Sequence, residues 1–170
     1  MELVEFSSPI EDPEVRSYVQ GLDQRFLQGP EFMLDFGFLA KENGKFVGRL
    51  LLGIRPVKPI LMGELDLLAL RDTAKPELES RSEAFVVDFE VEPAFRRRGI
   101  GTALQRAALS ICRERGLYQM RSWSSYDSPE NYRIKLRMGF AAVPGVQWIQ
   151  RISKWVAGVY FVMPLTEPGD

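Results

Sequence analysis

Histidine is absent from all 170 residues, and the chain contains a single cysteine. Without histidine, neither a Ser-His-Asp or Cys-His relay nor a histidine-ligated metal site can form within this chain. The lone thiol, Cys112, excludes an internal disulfide and a thiolate cluster. Any proton transfer must therefore use a carboxylate, a tyrosine or water, and we expect no bound metal.

The sequence also has no apolar run long enough to cross a membrane. The longest run, Trp155 to Leu165, falls short of the roughly 20 residues that a spanning helix needs. The first residues, M-E-L-V-E-F, carry acids where a signal peptide needs bases. We therefore expect a cytoplasmic protein without a membrane partner. The C-terminal run is either a core strand or the interface strand of a homodimer.

Length and charge indicate one domain with two electrically different parts. A chain of 170 residues that is 45% hydrophobic can form a single core, so residues 1–170 are expected to be one domain. Residues 1–94 contain 18 acidic and ten basic residues, whereas residues 95–155 contain three acidic and 12 basic ones. The basic part suits a phosphorylated ligand and the acidic part an amine, unless the two interleave in space.

The segment F-R-R-R-G-I-G-T-A-L, residues 95–104, has the features of a phosphate-binding loop. Gly99 and Gly101 let an anion approach the backbone, and the first amides of the following helix lack intrahelical partners at its positive end. Arginines 96, 97 and 98 add positive charge. The alternative is a solvated turn. The spacing excludes both a Rossmann fingerprint and a P-loop.

The elements on either side of this loop are clear from pattern. Residues 84–91, A-F-V-V-D-F-E-V, predict a strand that Pro93 ends, and apolar residues from Ile100 to Cys112 repeat at helical spacing until Gly116. This order of strand, V-x-P, R-x-x-G-x-G-T and helix resembles the acetyl-CoA-binding core of the GNAT superfamily of N-acetyltransferases. The resemblance implies a mixed, mainly antiparallel α/β (α+β) sheet with helices on both faces.

The resemblance assigns cofactor contacts residue by residue. It implies that Val91 offers a backbone N–H to the thioester oxygen, and that the loop holds the pyrophosphate of acetyl-CoA through its backbone. The loop residues so assigned are Arg96, Arg97, Arg98, Gly99, Ile100, Gly101 and Thr102.

A second segment extends the resemblance to Phe140. Residues 117–123 predict a strand, Ser128 and Pro129 a helix start, and Gly139-Phe140 its end. The family's helix reads N-x-x-A-x-x-x-Y-x-K-x-G-F, which puts Ser128 at the Asn position and Lys135 at the Tyr position. The family tyrosine commonly protonates the departing thiolate, so its replacement bears on mechanism.

Tyr132 lies one helical turn before Lys135 on the same face and could supply the missing proton. The alternative is that Tyr132 serves local packing and Lys135 is a surface cation near the cofactor. We therefore keep Tyr132 as a candidate general acid, and Ser128 and Lys135 as candidate cofactor contacts.

The predicted strand 84–91 has an acidic face. Asp88, Glu90 and Glu92 alternate with Val87, Phe89 and Val91. Carboxylates on a central strand are costly unless they are wet or meet cations, which favours a cleft. Glu90 is the first candidate for the base that accepts the amine proton through water and Asp88 the second, unless the face is merely solvated.

Three classes of function remain open from the sequence. The first is an acetyl-CoA-dependent N-acetyltransferase that acts on a small amine, a peptide N-terminus or a lysine. The second is a non-catalytic acyl-CoA-binding regulatory module, motivated by Lys135 at the tyrosine position. The third is nucleic-acid binding through the arginine run. Two observations count against it: the sequence lacks interleaved aromatic and basic residues, and its pI is about 5.7. No nucleic-acid partner is expected.

Less distinct patterns mark the remaining elements. We expect a helix from Asp12 to about Leu27, a hairpin turning at Glu42-Asn43-Gly44, and a strand over residues 61–70. Val143-Pro144-Gly145 predicts a turn, and residues 156–164 a final strand.

Overall fold

A computed structural model describes residues 1–22, 34–61, 80–149 and 152–166. Its helices are α1 (Pro13–Gly21), α2 (Ile100–Glu114) and α3 (Pro129–Arg137), with a 3-10 turn at Pro93–Phe95. Its strands are β1 (Glu2–Ser7), β2 (Phe36–Glu42), β3 (Lys45–Pro56), β4 (Ser82–Val91), β5 (Gln119–Ser125), β6 (Ala141–Ile149) and β7 (Lys154–Pro164).

The strands form one mixed, mainly antiparallel sheet in the order β1-β2-β3-β4-β5-β7-β6. Among the described strands, only the central pair, β4 and β5, is parallel, because α2 returns the chain across the sheet between these strands. The fold class predicted from the sequence is thus confirmed.

Helices cover both faces of the sheet, as predicted. On one face α1 buries Val15 and Val19 against Phe6, Leu39 and Leu51. On the other face lies the larger core, where α2 contributes its repeating apolar residues and α3 packs at the margin. Cys112 is fully buried in this core, as its place on the apolar face of the helix predicts.

Local signals explain where these elements begin and turn. The Asp12 carboxylate accepts hydrogen bonds from the amides of Glu14 and Val15 at 2.8 and 3.1 Å, which caps α1. The hairpin between β2 and β3 turns at Asn43 and Gly44, both with positive φ, as the N-G signal predicts. The helix α1 ends at Gly21, earlier than expected, and the predicted strand at 61–70 falls almost wholly outside the described residues.

The turn predicted at Val143-Pro144-Gly145 is wrong, because β6 runs straight through these residues. The strand lies at the edge of the sheet, where a proline is tolerated since no ladder hydrogen bond is needed on its outer side. Two residues further on, the Val146 amide points to that outer side and donates to the Leu61 carbonyl at 2.8 Å.

The C-terminal run forms a strand of the sheet that contributes to the core. Strand β7 lies between β5 and β6, and its residues Val159, Tyr160 and Phe161 are buried. Burial of this strand therefore gives no support to the homodimer, which stays a prediction.

Candidate active site

The parallel strands β4 and β5 separate to form a gap. They pair only at Glu83 with Gln119, Ala84 with Met120 and Phe85 with Arg121. Beyond this point β4 continues to Val91 and β5 to Ser125 without pairing to each other. The gap therefore opens towards the carboxyl ends of both strands, and backbone groups that face it have no sheet partner there.

The amide of Val91 faces this gap. The next amide, that of Glu92, donates to the Val47 carbonyl of β3 at 2.9 Å. Because successive amides of an extended strand point in opposite directions, the Val91 amide points away from β3 and towards β5. The Val91 carbonyl on the same side accepts a hydrogen bond from Arg96 Nε at 2.9 Å.

The N-terminus of α2 lacks a side-chain cap. Gly99 occupies the N-cap position in the left-handed conformation, with φ of 82°, and no side chain bonds the first amides. The first helical bond runs from the Ala103 amide to the Gly99 carbonyl at 2.9 Å. The amides of Ile100, Gly101 and Thr102 therefore have no intrahelical acceptor and form a positive cradle for an anion.

The two glycines of the loop have different surroundings. Nothing lies within 4 Å of a Cβ built on Gly99, so the space beside this N-cap residue is open. A Cβ on Gly101 would lie 3.1 Å from both Ile134 Cδ1 and Phe89 Cζ. Gly101 thus lets α2 pack closely on β4 and α3, a requirement that the sequence interpretation, which considered only the anion, missed.

The three arginines of the loop do not act alike. Arg96 bonds the Val91 carbonyl, and Arg98 lies 3.5 Å from a Glu42 carboxylate oxygen with its guanidinium 5.0 Å from the Phe95 ring. Arg97 is exposed and has a positive φ of 62°. Arg96 and Arg98 therefore shape the loop, whereas the Arg97 side chain extends into solvent.

The acidic pair on β4 meets a cation from β3. Arg49 lies directly across from Glu90; its Nε donates to Asp88, and its Nη2 lies 2.5 Å from Glu90 Oε2. Tyr18 of α1 lies close enough to Arg49 to raise its pKa. Burial lowers the pKa of Arg49, but its bonds and charge contacts with Asp88, Tyr18 and Glu90 outweigh burial and raise that pKa.

This pairing corrects the simple alternation expected for β4. Asp88 and Glu90 share the face that α1 covers, and Phe89 and Val91 pack on the opposite core, as predicted. Val87 packs on the α1 side instead, because a bulge shifts the register between Leu51 and Leu52. Arg49 was missed from the sequence; a lone basic residue within an apolar strand was the available signal.

Tyr132 of α3 reaches the end of β5. Its hydroxyl donates to the Ser125 carbonyl at 3.3 Å, and its ring packs edge-on against Phe161 with centroids 5.0 Å apart. Burial, followed by the nearby Tyr126 and Asp127, raises the pKa of Tyr132 above its usual value, so the phenol holds its proton at neutral pH. Ser128 precedes α3 as predicted, but its hydroxyl makes no capping hydrogen bond.

Lys135 is not the surface cation considered in the sequence analysis. It is only 2% exposed; its Nζ donates to Gln105 Oε1 of α2 at 2.9 Å and lies 4.5 Å from the Phe140 ring. Burial lowers the pKa of Lys135 to about 7. The interpretation is wrong because α3 packs this side of the helix against α2, which the sequence register cannot show.

We expect Lys135→Met to make the protein more stable at low pH. Between about pH 7 and 10.5 the unfolded chain binds a proton that the folded protein does not, so wild-type stability rises with pH across this window. The variant lacks this dependence. Its free energy of unfolding should exceed that of wild type by about 2 kcal/mol or more at pH 6, and by less at pH 10.

Urea unfolding across this pH range measures the difference, with exposed Lys154→Met as the control. A pH-independent difference between Lys135→Met and wild type would show that Lys135 keeps an ordinary pKa in the folded protein.

A buried ion cluster lies where β4 and β5 pair. The Glu83 carboxylate is fully buried; Oε1 lies 2.9 Å from Arg55 Nε of β3, and Oε2 lies 2.9 Å from Arg121 Nε of β5. Gln119 Nε2 donates to the same Oε2 at 2.6 Å. Glu83 thus joins three adjacent strands at the closed end of the gap, another role that the sequence analysis missed.

Two negative findings hold for the described residues alone. These residues contain no group of three or more His, Cys, Asp and Glu side chains arranged to hold a metal ion. None of the helices they form is long and apolar enough to span a membrane.

The acetyltransferase (GNAT) family model matches residues 2–140, and the chain belongs to this family. No curated protein sequence matches the chain.

Solved structures agree on the fold. The ribosomal-protein-S18-alanine N-acetyltransferase of Escherichia coli is 14% identical, with 99% of this chain and 97% of that chain covered at a TM-score of 0.59. A chain of the NatC complex bound to Gag peptide and CoA is 14% identical, with 98% and 100% covered at 0.62. A Salmonella typhimurium protein solved with its cofactor acetyl-CoA is 17% identical, with 79% and 67% covered at 0.53.

Proposed function

We propose that the protein is an acetyl-CoA-dependent N-acetyltransferase, with residues 1–170 as one catalytic domain, that acetylates a primary amine by direct attack on the thioester. The observation that carries this proposal is the gap between β4 and β5, with the α2 cradle on one side of the sheet and Asp88 and Glu90 on the other. The two substrates would approach from opposite faces and meet at the Val91 amide.

The residues present fit acetyl-CoA. The open space at Gly99 and the unpartnered amides of Ile100, Gly101 and Thr102 suit a pyrophosphate, and exposed Arg97 adds mobile positive charge. When bound there, acetyl-CoA supplies the activated acyl group. No metal is needed for this chemistry.

Each chemical requirement of acyl transfer has a candidate group beside the gap. The Val91 amide would stabilise the oxyanion that develops on the thioester carbonyl. Glu90 would accept the amine proton through water, with Asp88 as the alternative, and the Tyr132 hydroxyl would protonate the departing sulfur. Buried Lys135 would support the cofactor site indirectly, because its partner Gln105 lies on α2. Ser128, at the start of α3, stays a candidate contact for acetyl-CoA.

Titration with acetyl-CoA, followed by CoA-release assays against a panel of amines, tests the proposal. Binding with transfer to at least one amine supports it. Binding without transfer to any amine favours the second candidate, a non-catalytic acyl-CoA-binding regulatory module, which the lysine at the family's tyrosine position motivates. Absence of binding would exclude both functions.

We expect Gly99→Ala to weaken acetyl-CoA binding tenfold or more. The new methyl group would occupy open space at the N-cap, next to the first amides of α2, and the left-handed backbone would be strained by about 1–2 kcal/mol. Calorimetric titration measures the affinity, and chemical unfolding measures the strain.

Gly116→Ala is a matched control for this variant. Gly116 follows α2 at its other end, with φ of 67° and nothing within 4 Å of a built Cβ. It should lose similar stability and retain acetyl-CoA affinity. Equal affinities in Gly99→Ala and wild type would contradict the proposed cradle. Gly101→Val is the poorer test, because its side chain would disturb packing as well.

We expect Tyr132→Phe to slow acetyl transfer about tenfold or more. The phenol holds its proton and lies at the end of β5, whereas Lys135 is buried against Gln105. Pre-steady-state measurement of the chemical step, with acetyl-CoA affinity determined separately, checks this. Loss of the chemical step in Lys135→Ala but not in Tyr132→Phe would reverse the assignment, and no change in either would leave solvent as the acid.

A further inference from the structure

The core beside the α2 cradle contains a buried lysine with too few hydrogen-bond acceptors. Lys135 is 2% exposed, and its Nζ donates to Gln105 Oε1 at 2.9 Å. Gln105 is itself fully buried, and its Nε2 has no hydrogen-bond partner. An ammonium group brings three N–H donors to this pair, whereas a neutral amine brings two donors and a lone pair that can accept. The hydrogen bonds of the pair are therefore better satisfied when Lys135 is neutral.

Lys135 forms no salt bridge within the described part of the chain. The flanking charged residues of α3 and α2 are exposed to solvent: Glu130, Arg133, Arg137 and Arg106. The charged side chains of β4 and β5 lie on the opposite face of the sheet: Glu83, Asp88, Glu90 and Arg121. The Phe140 ring, 4.5 Å from Nζ, favours the cation, and burial disfavours it. Burial lowers the pKa of Lys135 to about 7, so its charge is undecided near neutral pH.

Two contacts between α3 and α2 connect Lys135 with the cradle. Its chain neighbour Ile134 packs against Gly101, because a Cβ built on Gly101 would lie 3.1 Å from Ile134 Cδ1. Its partner Gln105 follows Gly101 by one helical turn, which is a rise of about 6 Å. The Lys135 amine therefore lies on the order of 10 Å from an anion held by the first amides of α2. Gly101 and Gln105 are both buried, so protein interior separates the two charges.

Cofactor binding would change the potential at Lys135 far more than its burial. By itself, the cradle presents the positive end of α2 and the arginines of residues 96–98, which disfavour another positive charge nearby. A bound pyrophosphate would add negative charge and reverse this potential. Two negative charges about 10 Å away, at an effective dielectric constant of about 20, raise a lysine pKa by roughly two units. Lys135 is already almost fully buried, so it has little further hydration to lose.

We propose that Lys135 takes up a proton when acetyl-CoA binds, so that acetyl-CoA affinity rises as the pH falls through the neutral range. This inference rests on the proposed function and adds a pH-dependent control of its cofactor site. The complex keeps the Lys135 proton to a higher pH than the free protein does, so affinity is highest below the pKa of the free protein and falls above it. Titration of a cofactor phosphate would act in the opposite direction, because its dianion suits the positive cradle better.

Calorimetric titration with acetyl-CoA, in buffers of different ionisation enthalpy, counts the protons taken up per bound cofactor. Wild type should take up more than about half a proton at pH 8 and almost none at pH 6. Its affinity should fall by about tenfold between pH 6.5 and pH 8.5. Lys135→Met should show neither the uptake nor the fall in affinity, whereas exposed Lys154→Met should match wild type.

Carbon NMR of labelled lysine side chains observes the proposed proton acceptor directly. The Lys135 Cε signal is identified by its loss in Lys135→Met. Its pKa should be about 7 in the free protein and should rise by about one unit or more when acetyl-CoA is bound. Lys135→Gln replaces Lys135→Met in both experiments if circular dichroism shows that the methionine variant is unfolded.

Equal proton counts in wild type and Lys135→Met overturn the inference, as does an unchanged pKa of Lys135 in the complex. A purely structural role of Lys135 would change acetyl-CoA affinity equally at every pH and would leave the proton count unaltered. Binding of acetyl-CoA with equal proton counts leaves the proposed function standing. Absence of acetyl-CoA binding to wild type defeats that function, and the inference with it.

Discussion

Glu90→Gln is expected to lower the turnover number by roughly 10² to 10⁴ while leaving acetyl-CoA affinity nearly unchanged. The glutamine can still accept the hydrogen bond from Arg49 but cannot take a proton from the amine. Activity should partly return at higher pH, because more of the acceptor amine is then already neutral. Steady-state kinetics across pH, combined with acetyl-CoA titration, measure both effects.

Glu92→Gln is the matched control, since Glu92 is exposed and lies two residues further along the same chain segment. It should retain wild-type turnover. A fully active Glu90→Gln enzyme would transfer the role to Asp88 or to solvent, and Asp88→Asn would separate these two. Equal losses in Glu90→Gln and Glu92→Gln would indicate a general effect of negative charge on acceptor capture.

The second large effect is expected at the closed end of the gap, where Glu83→Gln should cost about 3–5 kcal/mol of stability. The substitution leaves the guanidiniums of Arg55 and Arg121 without their counterion, and Arg121 is only 4% exposed. Burial already lowers the pKa of Arg121, and the charge of Arg55 lowers it further. The Glu83 carboxylate opposes both effects, because it is the counterion of the two guanidiniums.

Thermal and urea unfolding measure this cost, which corresponds to a fall in melting temperature of roughly 10 °C for a chain of this size. Glu42→Gln is the control, because Glu42 pairs with exposed Arg98 at 3.5 Å and should contribute at most about 1 kcal/mol. Indistinguishable stabilities of the two variants would mean that Glu83 does not hold the strands together at this point.

The cofactor loop could be located from the sequence because its signals are local. Glycines at positions 99 and 101, the proline at 93 and the helical spacing after Ile100 all act on neighbouring residues, and the structure shows the expected strand, turn and helix there. The hairpin at Asn43 and Gly44 followed from the same kind of evidence. The chemical roles of the loop residues stay predictions.

Features that depend on distant partners could not be found in this way. Proline and glycine in β6 predicted a turn, yet they belong to an edge strand. An edge strand tolerates a proline, which cannot donate a backbone hydrogen bond, because its outer side needs no ladder partner. Lys135 read as a surface cation, yet α3 packs it against Gln105. In both cases the neighbours across the sheet or between helices decided the outcome.

The sequence by itself determined the strand, turn and helix around residues 84–112, the hairpin at Asn43 and Gly44, and the exclusion of histidine chemistry, because these depend on residue types and short spacings. Only the tertiary structure decided which charges meet. Arg49 and Asp88 are 39 residues apart, and Arg55 and Glu83 are 28 apart, yet each pair is in contact. Such contacts depend on strand register and on a bulge at Val87, and register is fixed by packing of the whole sheet.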